Sequence, residues 1–378
     1  MAMGSPAPGS LNRSSRLETS AATQSVQTIA AEYGGHWSPS CVLPPGLVRP
    51  RPIDPTDVNG PTKGQARGPG WRQTSSGLYV PAEVSDEVVE QRILEQGQRI
   101  CSHGAVTAWA ALRWRGAAYF DGLAEAGTSR LPVPLVVGRH RLRPDPRVEV
   151  SRDQIAPTEL TWVAGIFCAT VQRALFDQMR YAPSLRTAVV AMEMAAAARL
   201  ISVRLMRMYV AQRSAWQGVE LVRRALAIAI DTSRSPQETL MRLVWLLDAG
   251  LPAPLCNVPV FDLHGRLLGI PDLLDPVAGM IGEYDGAHHK ARKQHRSDVR
   301  REGVFRDHGL EYFAVVGGDL LDRPLVVSRM HSTRARALFE PEERRRWTLT
   351  PPPWWKPREE PLDRHLLRTG QAGFLIRT

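Results

Sequence analysis

The sequence predicts an α/β protein, mixed α+β overall, and three observations carry that prediction. The first is composition: 378 residues with 43% hydrophobic and 23% charged side chains suffice for two to three domains, each with its own apolar core. The second is patterning, because apolar residues recur at three- and four-residue spacing in some stretches and alternate with period two in others. The third is order: beyond residue 232 the elements read α-β-β-β-α-β-α. A single small module and a wholly disordered chain are both excluded.

Residues 1–24 are rich in Ser, Ala, Gly and Pro without apolar periodicity, which predicts a disordered leader. Region 25–82 opens with a short helical pattern over Gln24–Glu32 and continues through a Pro/Gly-dense loop, Pro44–Gly70. It ends in Trp71–Pro81, two short strands about a Ser-Gly turn that suit the wing of a winged-helix unit. Region 83–232 is expected to be an α/β and helical domain. It starts with a helix near Glu83 and a second that Ser102 caps and that runs through Leu112. Strands follow at Leu131–Val137, Arg147–Val150 and Leu160–Phe167, then helices at Thr170–Met179, Ser184–Leu200, Val203–Gln212 and Gly218–Ile230.

Region 233–340 is the best marked. Ser235 caps a helix that has Pro236 in its first turn, an apolar face of Leu240, Leu243, Val244 and Leu247, and a stop at Gly250. Strands are expected at Val258–Asp262, at Leu267–Leu273 after a His264-Gly265 turn, and at Met280–Asp285. A charged helix over Arg292–His308, a strand at Glu311–Val316 and a helix over Pro324–Leu338 complete the order. Residues 341–378, with three consecutive arginines at 344–346 and Pro351-Pro352-Pro353-Trp354-Trp355, read as a mostly extended basic tail.

The net charge of +10 and the pI near 9.9 point to a polyanionic partner, with nucleic acid the first choice. Of 48 basic residues 44 are Arg, a bias that GC-rich coding also produces, so Arg number alone identifies no partner. The four cysteines, Cys41, Cys101, Cys168 and Cys256, form no CxxC pair, which argues against a zinc finger or disulfide scaffold and for reduced, buried thiols. No stretch reaches the roughly 20 apolar residues that span a bilayer, and the N-terminus lacks a signal-peptide core. A cytoplasmic protein with no membrane partner is therefore expected.

The chemistry concentrates between Glu238 and Arg301. Asp272 stands near the end of the second strand, and Gly282-Glu283-Tyr284-Asp285-Gly286 ends the third. Strand side chains alternate, so Glu283 and Asp285 share a face while Tyr284 points away. If the second and third strands pair, Asp272 approaches that face and Glu238 reaches it from the preceding helix. Four carboxylates together repel one another unless a cation neutralises them. Mg²⁺ suits carboxylate and water ligands and assists phosphodiester hydrolysis, with Mn²⁺ as a substitute. Asp272 and Asp285, taken alone, have a blander explanation, that of ending their strands. His288 and His289 follow directly and are candidates for acid/base work. The segment 290–301 holds Lys290, Arg292, Lys293, Arg296, Arg300 and Arg301 as candidate phosphate contacts, against the single acid Asp298. Asp298 and Arg301, at i and i+3, are also spaced for a structural ion pair.

Ser235-Pro236-Gln237-Glu238, Pro271-Asp272, Gly282 to His289, Arg296-Ser297-Asp298-Val299-Arg300-Arg301 and Glu311 to Val316 together resemble the very-short-patch-repair-like branch of the PD-(D/E)XK nuclease superfamily. The resemblance covers about 105 residues, 235–339. It implies a restriction-endonuclease-like α-β-β-β-α-β core, Mg²⁺ dependence and cleavage of DNA. It names Asp272 and Glu283 as metal ligands and Glu238 as the helix-borne acid. The sequence departs from the superfamily pattern in having Asp285 where Lys is usual two residues after the second acid. Upstream, Trp71–Pro81, Gly104–Leu112 and Thr170–Asp177 resemble the AbiEi-type antitoxin architecture, which implies a DNA-binding winged helix and, as further partner, a cognate toxin or other protein.

Two functional readings stand at this point. One is a metal-dependent DNA endonuclease or nickase acting in phage defence or toxin–antitoxin regulation. The other is a non-enzymatic, antitoxin-like DNA-binding transcriptional regulator with a degenerate nuclease fold.

Overall fold

A computed structural model describes residues 43–100, 103–124, 127, 129–286, 301–357 and 359–370. They divide into two compact units: residues up to Trp114 with Phe120–Ala174, and Arg115–Tyr119 with residues from Leu175 on. The division thus falls inside the stretch 83–232 that the sequence reads as one domain. The fold is mixed α+β.

In the first unit, strands β1 (Arg51–Pro52), β2 (Trp71–Ser75) and β3 (Leu78–Pro81) form an antiparallel sheet in the order β1-β3-β2. The β2–β3 hairpin matches the expected pair of strands, and Gly77, at φ +77°, makes its turn. The Pro/Gly-dense stretch is more than a loop. Arg51 and Pro52 pair with Tyr79 and Leu78, and Gln65–Arg67 makes a 3₁₀ turn.

Helix α1 (Val89–Gly97) is followed by β4 (Ala105–Val106) and α2 (Ala108–Arg113). The helix expected from Ser102 is therefore corrected. Ala105 and Val106 pair with Val136 and Leu135, and Val106 with Cys168, so those residues are strand and the helix begins at Ala108. Ser102 lies outside the described residues. β5 (Val133–Val136), β6 (Val148–Ser151), β7 (Leu160–Val163) and β8 (Ile166–Ala169) complete a five-stranded sheet in the order β6-β5-β4-β8-β7. The single strand expected over Leu160–Phe167 is in fact a hairpin. Ala164 and Gly165 both take positive φ, +44° and +93°, and turn the chain back.

Helix α3 (Val171–Arg180) runs from the first unit into the second, where α4 (Leu185–Ala197), α5 (Val203–Ala211) and α6 (Val219–Ile228) follow close to their expected limits. Ser184 and Ser202 cap α4 and α5 by accepting hydrogen bonds from the amides of Thr187 and Leu205. α7 (Pro236–Leu243) continues as a π-helical turn over Val244–Asp248. The apolar face of α4 surrounds Glu193, which is fully buried. Its carboxylate is satisfied by Arg242 of α7, by the Thr239 hydroxyl at 2.7 Å and by the Ile230 amide at 3.0 Å.

Beyond α7 come β9 (Val260–Asp262), β10 (Leu267–Gly269), β11 (Leu273–Asp275), β12 (Met280–Asp285), helix α8 over residues 301–307, β13 (Glu311–Val316), α9 (Arg323–Arg336), β14 (Trp347–Thr348) and α10 (Leu362–Arg368). The strand expected over Leu267–Leu273 is two strands in two sheets. Leu267–Gly269 pairs with β9, Leu273–Asp275 pairs with β12, and Pro271, which has no N–H to donate, falls in the break. One sheet has the order β10-β9-β14 and the other β11-β12-β13. β11 runs antiparallel to β12 with Leu273 opposite Gly282, and β12 runs parallel to β13 with Ile281 opposite Tyr312.

The tail expected to be mostly extended packs on the second unit and adds a strand and a helix. Trp347 and Thr348 pair with Asp262 and Phe261, and Trp354 and Trp355 meet the ring of Phe261 edge-on at 6.1 and 5.2 Å.

One face of the β11-β12-β13 sheet buries Met280, Phe313 and Val315 against Met241 and Trp245 of α7 and its π turn and against Val326 and Met330 of α9. The other buries Leu274 and Ile281 with Phe305 of α8, Val260 and Trp347. Fixing a sheet by apolar contact on both faces holds the ends of its strands in place. Cys168 and Cys256 are buried. Among the described residues no helix is long and apolar enough to cross a membrane.

Candidate active site

Each acid of the site is held by a local feature of the chain. Glu238 occupies the third helical position of α7, where Ser235 accepts a hydrogen bond from its amide at 3.2 Å. The Oε2 atom of Glu238 accepts from the Arg234 amide at 3.0 Å and from Nδ2 of Asn257 at 2.9 Å. Asn257 sits at φ +55°, a conformation that asparagine tolerates better than most residues. Its side chain also donates to the Thr232 carbonyl at 3.0 Å, and its amide donates to the carbonyls of Pro271 and Asp272 at 3.1 and 3.3 Å. Asn257 thus ties the start of α7 to the residue that precedes β11.

Asp272 stands one residue before β11. Its Oδ2 accepts from the Tyr284 amide at 2.8 Å, so the carboxylate rather than a strand carbonyl meets β12 at this point. Two residues along the alternation from Ile281, Glu283 projects to the same face of β12. Its Oε1 pairs with the Arg301 guanidinium at 2.7 Å and its Oε2 accepts from the Tyr312 hydroxyl at 3.1 Å. Nη2 of Arg301 also donates to the Ile270 carbonyl at 2.8 Å, which anchors α8 to the β10–β11 connection. Burial and the charge of Glu283 push the Tyr312 phenol up, so it remains a donor.

Three of the four expected carboxylates act on one another. The Asp272 carboxyl is pushed up to about 7, first by burial and then by the charges of Glu238 and Glu283. The Tyr284 amide and Arg301 oppose the shift without cancelling it. A carboxyl poised there exchanges protons near neutrality and gains strongly from any added cation. Burial pushes the nearby Cys256 thiol up to about 12, with Glu238 and Asp272 adding to it, so Cys256 stays protonated and is no nucleophile.

Asp285 stands apart from this trio. It ends β12 opposite Val316, and burial followed by its charge raises the Tyr284 phenol. His288, His289, Lys290, Arg292, Lys293, Arg296, Asp298 and Arg300 lie outside the described residues. Arg301 is described, and there its partner is Glu283.

Among the described residues no three His, Cys, Asp or Glu side chains are grouped as a metal cage. The donors of Asp272 and Glu283 are nevertheless carboxylate oxygens only. Mg²⁺ is commonly held by one or two such groups with water and substrate oxygens filling the rest, so the pair fits that ion in kind.

Sequence reasoning did not select Asn257 or Tyr312. An Asn between Pro254 and Pro259 is a faint turn signal, and period-two reading of Glu311–Val316 does put Tyr312 on one face with Ala314. Comparison with protein-family models, with curated proteins and with solved structures gives no match for this chain.

Proposed function

We propose that the chain is a metal-dependent DNA endonuclease or nickase with a restriction-endonuclease-like core in its second unit. The observation that carries this reading is the grouping of Glu238 and Glu283 about the half-buried Asp272, which together with burial pushes its carboxyl up to about 7. Neighbouring acids that hold an excess of negative charge are costly in a fold, and a divalent cation bound with a phosphate offsets that cost. The run α7, β9–β10, β11, β12, α8, β13, with β12 and β13 parallel across the helix, supports the same core.

In this reading Asp272 and Glu283 hold Mg²⁺ or Mn²⁺, which would supply a water of lowered pKa and stabilise charge on the scissile phosphate. Asn257 holds the Glu238 carboxylate by its side-chain amide. Arg301 offsets charge at Glu283 and, 38% exposed at its side chain, is open to a phosphate oxygen. Tyr312 fixes the rotamer of Glu283 through its hydroxyl.

The test is incubation of supercoiled plasmid and linear duplex with the protein in Mg²⁺, Mn²⁺ or EDTA, beside Asp272→Ala and Glu283→Ala. Metal-dependent nicking or cutting that both variants lose is the expected outcome, and full activity in both variants would refute the assignment.

A second reading, an antitoxin-like DNA-binding regulator with a degenerate nuclease fold, draws on one observation. Arg301 already neutralises Glu283, while the position usually given to Lys holds Asp285. A folded protein that shifts DNA and never cleaves it would favour this reading.

A further inference from the structure

Outside the carboxylate site, a strongly charged feature lies in the first unit. The connection between β5 and β6 carries Arg139, Arg141, Arg143 and Arg147 against a single acid, Asp145. That acid is already consumed. Its oxygens take Arg99 at 2.8 Å and Arg147 at 2.8 and 3.0 Å, with the Arg147 amide at 3.0 Å. Arg147 and Arg99 hold its carboxyl at about 2, so it stays charged and saturated at any physiological pH. The side chains of Arg139, Arg141 and Arg143 are exposed.

The same segment lies against the β2–β3 turn. Two clefts of about 200 Å³ each share Ser75, Ser76, Arg99 and Arg143 as walls, and Arg147 closes one of them. Nη2 of Arg99 donates to the Arg143 carbonyl at 3.0 Å and Nη1 of Arg147 to the Gln73 carbonyl at 3.5 Å. Pro144 and Pro146 bracket Asp145 and stiffen the backbone between the arginines. The result is a groove in which Asp145 fixes Arg99 and Arg147 in advance, with the exposed Arg143 beside them and a hydroxyl-bearing turn as its other wall. Planar guanidinium groups bind phosphate oxygens in pairs, and a preset groove loses little side-chain freedom on binding them.

We propose that this groove, formed by the β5–β6 arginine segment and the β2–β3 turn, is a second nucleic-acid contact that holds backbone phosphates. Glu149 is the exposed acid nearest in sequence and leaves the segment with excess positive charge. The proposal rests on nucleic acid as partner, which both readings of the second unit share. It assigns the first unit a grip on the duplex backbone, independent of base sequence.

The test measures fluorescence anisotropy of a labelled duplex with the full chain carrying Asp272→Ala, in EDTA, over a range of salt. Arg139→Ala, Arg141→Ala and Arg143→Ala are combined in one variant. A control combines Arg224→Ala, Arg344→Ala and Lys356→Ala, which removes equal charge at exposed positions of the second unit. The loop variant is expected to bind about tenfold more weakly at low salt, with its logarithmic salt slope smaller by about 2 to 3, while the control changes the slope by less than about 1. An unchanged slope in the loop variant, or equal losses in both, would overturn the proposal. Titration with inorganic phosphate separates the sources: saturable phosphate binding that the loop variant loses while duplex affinity stays constant would also overturn it. Failure of the nuclease reading shows elsewhere, as duplex bound by the parent chain and never cut.

Discussion

Asp145 and Asp272 are chemically the same side chain in opposite surroundings. Asp145 in the first unit has two arginines and a backbone amide directed at it, and its carboxyl falls to about 2. Asp272 in the second unit has one amide, a more distant guanidinium and two neighbouring carboxylates, and it rises to about 7. The first is an anion that the fold uses to arrange cations. The second is an anion that the fold leaves short of positive charge. Acids matched by donors build structure, and an acid left unmatched marks a place where charge is to be brought in.

The contrast can be broken at three points. The largest effect is expected at Glu193, which belongs with Asp145 by its complete set of donors although it sits in the second unit. Glu193→Ala strands Arg242 in the core and should cost about 3 to 5 kcal/mol in urea unfolding. A loss below about 1 kcal/mol would remove the distinction.

Asp272→Asn should do the reverse and stabilise. The folded carboxyl lies above its ordinary 3.8, so the stability it contributes is complete below about pH 4 and is lost as the pH rises through 7. The variant is expected to exceed the parent by about 2 kcal/mol at pH 8 in EDTA and to match it near pH 4. Melting curves that stay parallel across this range would contradict the site's electrostatics.

The smallest effect is expected at Asp145. Its folded carboxyl is depressed from 3.8 to about 2, so its contribution is present above pH 4 and is lost as the pH falls through 2. After screening by solvent this amounts to about 1 kcal/mol. Asp145→Asn should remove that part of the acid dependence between pH 4 and 2. An identical acid limb in the variant would show that Arg99 and Arg147 do not hold the charge.

How much was legible follows the range of each signal. Met280–Asp285 and Glu311–Val316 are strands with the limits expected, because each is a short run with apolar and aromatic residues that ends at a turn or a charge. Pro236–Leu243 was legible from its Ser cap and its proline. The hairpin at Ala164-Gly165 was hidden because its turn carries Ala where Asn or Asp would announce it. Glu238, Asp272 and Glu283 could be chosen by residue type and order. Their governing partners could not: Tyr312 meets Glu283 diagonally across a parallel pairing, and Asn257 meets Glu238 from 19 residues away. Such contacts leave no local period to read.

The pairing of β14 with β9 has a consequence for synthesis. Trp347 lies 85 residues beyond its partner Asp262, so the β10-β9-β14 sheet cannot close when β9 emerges from the ribosome. At roughly 5 to 20 residues per second, β9 waits about 4 to 17 s with one edge unpaired. During translation that edge is open to pairing with a neighbouring nascent chain. The three residues of the strand and the late arrival of Trp354 and Trp355 over Phe261 make residues 347–355 the closing step in the birth of this sheet.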